Sequence, residues 1–163
     1  MLLDHPSQAE TPAPLLDARV AIVASEYNRP FVDGMVSAAL ECLAAAGVAT
    51  EVVRVPGAFE IPFAASLVSR RTQHRPDAIL CLGVIWQGET NHAEHVGAAV
   101  TQALMDLQLR AHIPCIHEVL TVRSEEQARA RCLEPRSNRG IEAARTAMAM
   151  VRLRQADSVG GVA

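Results

Sequence analysis

The stretch that most constrains the fold is "DAILCLGVIW" at residues 77–86, an apolar run with no alternation of polar and apolar positions. A strand of that kind is covered on both faces, and the usual solution is a parallel sheet enclosed by helices. The rest of the chain supplies the partners. "ARVAIVAS" (18–25) is a β-branched strand, and 29–46 has Phe31, Met35, Ala38, Ala39 and Leu43 at helical spacing, ended by Gly47. "ATEVVRVPG" (49–57) is a strand stopped by Pro-Gly, and 61–73 is a helix with Pro62 in its first turn. A helix over 91–110, the strand "IPCIHEVLTV" (113–122) and two helices, 124–134 and 139–155, complete the series. Such strand–helix alternation predicts one three-layer α/β/α domain around a four-stranded parallel sheet. The boundaries read as a flexible N-terminal arm over 1–17, a single domain over 18–154 and a loose C-terminal tail over 155–163.

Charge and cysteine content exclude several functional classes. Net charge is -3, with a pI near 6.1 and no face-sized arginine cluster, which disfavours nucleic acid and anionic membrane as partners. Cys42, Cys81, Cys115 and Cys132 are widely spaced and form no disulfide framework, as expected in a reducing compartment. The N-terminus lacks a basic region followed by an apolar run, and no stretch approaches the ~18 apolar residues of a membrane span, so the expected location is cytoplasmic.

In open parallel sheets, ligands bind beyond the carboxyl ends of the strands. There the chain places "EYN" (26–28), "PGAFE" (56–60), "WQGETNH" (86–92) and "IHE" (116–118), which include its single Tyr and single Trp. In a sequence with only 3% aromatic residues, this grouping suits a flat polar heterocycle that needs both stacking and hydrogen bonds. Within "QGETNH", Asn91 and Glu94 have the spacing of a capping box, and Gly88 lets backbone approach a ligand. The helix start that follows is a natural anion site, and His92 stands in its first turn, placed to move protons near neutral pH.

Each feature also has a plainer reading. The turn is equally a β–α connection, His92 a capping or surface histidine, Tyr27 and Phe59 core residues, and Trp86 a ring tucked under a helix. His117 alternates with core positions, and Arg129, Arg131, Arg136 and Arg139 match the solvated side of the late helices. Glu89, His92 and His95 span roughly 300° of helical rotation, so they do not form a metal site. No dinucleotide, P-loop or nucleophile-elbow motif is present.

Three segments together, "VPGAFEIPFAA" (55–65), "GVIWQGETNHAEHV" (83–96) and "LTVRSEEQARAR…NRG" (120–140), resemble the 6,7-dimethyl-8-ribityllumazine synthase family, over about 18–154. The resemblance implies a flavodoxin-like fold, assembly as a pentamer or multiples of it, and a site shared between adjacent subunits. It implies condensation of 5-amino-6-(D-ribitylamino)uracil with 3,4-dihydroxy-2-butanone 4-phosphate, the penultimate step of riboflavin biosynthesis. No metal or organic cofactor takes part, and riboflavin synthase is a candidate partner. By the same match, His92 is the proton-transfer residue and Tyr27 stacks on the pyrimidine. Ala58, Phe59 and Glu60 meet the ribityl chain, and the backbone of Val84, Ile85 and Trp86 pairs with the uracil edge. Glu89 and Thr90 hold phosphate through their N–H groups, and Arg131 pairs with it. Arg139 replaces the family's usual lysine, and His117 stands where an aromatic ring of the neighbouring subunit packs. Trp86 and Gln87 replace a small aliphatic residue and an arginine. Two other readings are a non-catalytic flavin- or lumazine-binding paralogue, stacking with Trp86 and His117, and a shell-forming scaffold.

Overall fold

The structure, a computed structural model, describes residues 14–160. Its elements are β1 (Arg19–Ser25), α1 (Arg29–Ala45), β2 (Ala49–Val55), a 3₁₀ turn (Ala58–Glu60), α2 (Ile61–Ser69), β3 (Ala78–Trp86), α3 (His92–Ala111), β4 (Cys115–Val122), α4 (Glu125–Cys132) and α5 (Arg139–Gly160). The four strands form one parallel sheet in the order β2-β1-β3-β4. β3 is central, and its first seven residues are buried, as its unbroken apolar character requires.

Successive side chains on a strand face opposite ways, so the sheet supports two separate cores. Val20, Ile22, Leu80 and Leu82 pack with Val32, Met35, Ala144 and Ala147, beneath α1 and α5. Val23, Ile79, Cys81 and Val119 pack with Ile61, Ala65, Val100 and Leu104, beneath α2 and α3. The α1–α5 contact is unusually close: a Cβ on Gly140 would lie 2.0 Å from the Met35 carbonyl oxygen. Asn138 fastens this corner, with Nδ2 donating to Cys132 O (2.7 Å) and Gly34 O (3.3 Å) while Oδ1 accepts from Gly140 N (2.8 Å).

Several boundaries differ from those read off the sequence. β2 stops at Val55 because the Pro-Gly turn feeds a 3₁₀ turn before the next helix, and α2 is shorter than expected, ending at Ser69. α5 continues to Gly160, past the predicted tail boundary at 155, and Ser158 Oγ donates to Arg154 O (2.9 Å) in its last turns. Of the arm predicted over 1–17, residues 1–13 lie outside the described residues, as do 161–163 of the tail. Leu15 is docked, with a buried side chain and its N–H donating to Ala46 O (3.0 Å). All four cysteines are free thiols, and among the described residues no helix is long and apolar enough to cross a membrane.

Candidate active site

A notch opens where β3 outruns its neighbour. β1 pairs with β3 only as far as Ala24–Leu82, whereas β4 follows it to Trp86–Val122. The chain beyond β1 turns back at Glu26 and Tyr27, whose N–H groups both donate to Pro56 O (3.2 and 3.0 Å). Asn28 adopts a left-handed conformation (φ 60°), which Asn tolerates better than most residues, and its Nδ2 donates to Val84 O (2.7 Å). The Val84–Trp86 segment thus borders the turn carrying Tyr27. Below it, the hydroxyl of Ser25 is fully buried with no hydrogen-bond partner among the described residues.

Gly57 couples two of the expected ligand residues. Its N–H donates to Glu60 Oε2 (2.9 Å), and the Tyr27 ring packs on its Cα. Ala58 is buried in the α2-side core and anchors the turn, while Phe59 and Glu60 face outward. Tyr27 is 69% exposed and Phe59 61%, far above what two core aromatics would show, so the plainer reading of these rings fails.

Trp86 is packed on one edge and open on another. Its ring meets Phe31 of α1 edge to face, with centroids 5.9 Å apart and an interplanar angle of 77°, yet 38% of the residue remains exposed. The side chains of Trp86 and His117 lie on opposite faces of the sheet, so the two do not stack within one chain.

The turn before α3 departs from the expected capping box. Asn91 occupies the N-cap position but its side chain makes no capping bond. Instead, Gln87 Nε2 donates to Gly88 O (3.1 Å) and Thr90 O (3.2 Å), closing the turn from its N-terminal side. Gln87 also ties the turn to the sheet through its own N–H, which donates to Val122 O (2.8 Å). Thr90 Oγ1 accepts weakly from His92 N (3.4 Å), and the N–H groups of Ala93 and Glu94 find no acceptor among the described residues. Glu89, Thr90 and His92 are exposed, and a Cβ on Gly88 would meet nothing within 4 Å. Open space above free N–H groups at the start of a 20-residue helix is a site an anion can enter, with an imidazole beside it.

His117 and the two arginines lie apart from this turn. Residues 116–118 are not at the end of β4 but in its first half, because β4 runs on to Val122. His117 is level with Cys81, on the α3 side, and its Nε2 is 2.9 Å from Thr101 Oγ1. That hydroxyl has one proton, and it already donates to Gly97 O (2.8 Å). The proton shared with His117 therefore sits on Nε2, which donates to the threonine hydroxyl. On the other side of the sheet, Arg131 (α4) and Arg139 (α5) line a cleft of about 260 Å³ with Gln127 and Leu120–Val122. Arg139 Nη1 donates to Glu142 Oε2 (2.5 Å), and its Nε is buried without an acceptor among the described residues.

Glu118 belongs to this second cluster. It pairs with Leu82 in the sheet register, so its side chain faces α4 and α5. Burial pushes its carboxyl up to about 7; Arg139 opposes the shift, Glu142 adds to it and Arg131 opposes it. In the sequence Glu118 reads as part of the polar "IHE" group at a strand end, and only the packing of α4 and α5 reveals the charges that surround it. Thr101 and Asn138 were missed for a similar reason, and the bonds of Asn28 to Val84 O and of Gln87 across its turn were not foreseen although both residues stand in the quoted loops.

Comparison with known proteins follows this geometry. Residues 17–155 match the family model described as 6,7-dimethyl-8-ribityllumazine synthase. Proteins named 6,7-dimethyl-8-ribityllumazine synthase from Xanthomonas euvesicatoria pv. vesicatoria and Xanthomonas campestris pv. campestris (strain B100) are each 41% identical over 139 residues, 83% of this chain and 89% of theirs. One of the same name from Stenotrophomonas maltophilia (strain R551-3) is 40% identical over 83% of this chain and 88% of its own. With the model spanning the whole folded unit and identity at this level, the chain belongs to the 6,7-dimethyl-8-ribityllumazine synthase family.

Proposed function

We propose that this chain condenses 5-amino-6-(D-ribitylamino)uracil with 3,4-dihydroxy-2-butanone 4-phosphate to 6,7-dimethyl-8-ribityllumazine, releasing phosphate and water. The observation that carries the reading is the α3 start, where N–H groups without an acceptor among the described residues, open space and His92 lie on a helix that packs against the 3₁₀ turn carrying the exposed Phe59. Phosphate binds at Glu89 and Thr90 with Arg131, and the pyrimidine stacks on Tyr27 against the Val84–Trp86 backbone. Glu60 accepts from the ribityl hydroxyls through Oε1, because Oε2 already holds Gly57 N. Imine formation expels one water, elimination expels phosphate, and attack of the ribityl-bearing nitrogen on the remaining carbonyl closes the ring and expels a second water. These steps need two reactants held in register and protons moved between nitrogen, carbon and oxygen, which is the role assigned to His92.

The working unit is a pentamer or a multiple of it, with each site completed by a neighbour. Two features favour this. His117, Arg131 and Arg139 lie apart from the His92 turn within one chain. Phe63 and Leu67 of α2, with Met105 and Leu109 of α3, are 49–69% exposed, more apolar surface on one side than an isolated chain needs. The proposed setting is the cytoplasm, with riboflavin synthase, which consumes the product, as partner.

The test mixes the purified protein with both substrates and follows lumazine absorbance against a protein-free blank. A rate well above the blank is expected; a folded, oligomeric protein with the blank's rate would refute the assignment.

A further inference from the structure

We propose that anion binding in the Arg131–Arg139 cleft is coupled to protonation of Glu118, so that an anion enters as the carboxyl takes up a proton. The proposal rests on reading that cleft as part of the phosphate site, and it adds a regulatory group that this reading does not contain.

The cleft contains two guanidinium groups, and two carboxyl groups act on them. Glu142 is hydrogen-bonded to Arg139, but Glu118 has no hydrogen bond among the described residues, although its side chain faces the same helices. Arg139 still has its buried Nε without an acceptor. With Glu118 ionised, the four groups sum to zero charge and an incoming anion competes with a carboxylate for the same two cations. With Glu118 protonated, the sum is one positive charge and the competitor is gone. The proton comes from solvent and returns there; no covalent bond changes.

The charged and titrating groups that act on Glu118 lie on the two helices covering its face of the sheet. α4 presents Arg131 and the buried thiol of Cys132, and α5 presents Arg139 and Glu142. Its β3 neighbour is Leu82, and the flanking β4 residues on its face are Ile116 and Leu120. His117 points to the other face. The Glu118 charge is felt across the cluster, where it adds to the burial that pushes the Cys132 thiol up to about 11.

The size of the effect follows from the Glu118 midpoint near 7. The protonated fraction falls from about 0.9 at pH 6 to about 0.1 at pH 8, and apparent affinity scales with the competent fraction. Sulfate is a suitable probe because it stays a dianion over this range. Isothermal titration calorimetry of the assembled full chain with sulfate, at constant ionic strength, compares wild type, Glu118→Gln, Glu118→Ala and Arg131→Ala. The wild type is expected to lose about tenfold more affinity between pH 6 and 8 than either Glu118 variant. Titrations at pH 8 in two buffers of different ionisation enthalpy are expected to show more proton uptake in the wild type than in either variant.

Equal pH slopes in wild type and both Glu118 variants would overturn the coupling. If Arg131→Ala abolishes binding in that same experiment, the phosphate reading survives and only the coupling falls. Sulfate bound equally well by Arg131→Ala would overturn both, because the anion would then sit elsewhere.

Discussion

Replacing Gly57 by alanine tests whether the turn after β2 exists to aim Glu60. The backbone at Gly57 is extended (φ -134°), so alanine costs nothing in conformation there. Its Cβ, however, would lie 2.9 Å from Glu60 Oε2, 3.0 Å from Tyr27 Cδ2 and 3.2 Å from Tyr27 Cε2. The carboxylate must swing away and give up its bond to Gly57 N, and the Tyr27 ring must move by a few tenths of an ångström. Both side chains are exposed and yield easily, but Gly57 is buried and its N–H loses its acceptor, so the stability cost is about 1–3 kcal/mol. For a chain of 163 residues each kcal/mol lowers Tm by roughly 2–4 °C. The ligand loses affinity as well. A hydroxyl bonded to a carboxylate is worth about 1.5–3 kcal/mol, so KM for the ribityl-bearing substrate rises roughly 10- to 150-fold. Steady-state lumazine formation over a matrix of both substrate concentrations, with a thermal melt of the same samples, separates the two effects. The butanone phosphate KM should change far less. A Gly57→Ala enzyme with unchanged Tm and a ribitylaminouracil KM within twofold of wild type would refute the idea that Gly57 positions Glu60.

Three further perturbations have definite outcomes. His92→Ala is expected to cut kcat by roughly 10²–10⁴ with unchanged oligomeric state by sedimentation, because His92 is exposed and general acid–base help is of that order; a rate within twofold of wild type would remove it from the chemistry. Gly140→Ala places a methyl 2.0 Å from Met35 O and 2.7 Å from Met35 C, so α1 and α5 must part and stability should fall by about 3 kcal/mol or more in urea titration; a loss under 1 kcal/mol would mean the helices slide freely. For Glu118 the folded-state value near 7 lies above the ordinary 4.5, so its stabilising contribution is fully present below pH 4.5 and is lost as pH rises through 7. Because the group is partly exposed, the loss is about 1–2 kcal/mol, and Glu118→Gln should therefore gain on wild type between pH 5 and pH 8 in denaturant midpoints; parallel pH curves would contradict this.

The fold was largely legible because its signals are repeated along the chain. The unbroken run 77–86 demanded cover on both faces, and α1/α5 and α2/α3 provide it. Pro62 marked the first turn of α2, and His92 opens α3 as its position after "QGETN" implied. What escaped were contacts that join distant residues. The Asn91/Glu94 spacing suggested a cap, yet the Asn91 side chain makes no capping bond and Gln87 Nε2 closes the turn by donating to Gly88 O and Thr90 O. Trp86 read as either a ligand ring or a packed ring; it packs edge to face on Phe31, and the strand end leaves part of it bare. Glu118 was read with "IHE" as part of the ligand edge, whereas it lies inside β4 and α5, more than twenty residues later, brings Arg139 to act on it. Asn138 binds Gly34 O across 104 residues, a separation at which no pattern in sequence is visible.

The division of the interior into two cores also sets an order of assembly during synthesis. Every residue of the core beneath α2 and α3 lies between Ala21 and Val119, so that side is complete well before the chain ends. The core beneath α1 and α5 waits for Ala143, Ala144, Ala147, Met148 and Val151. A nascent chain stopped near α4 would have one finished face and, on the other, a strip of Val20, Ile22, Leu80 and Leu82 roofed by α1 alone. That half-built intermediate is where a ribosome-associated chaperone would find apolar surface, and where truncation or slow translation late in the message would do the most harm.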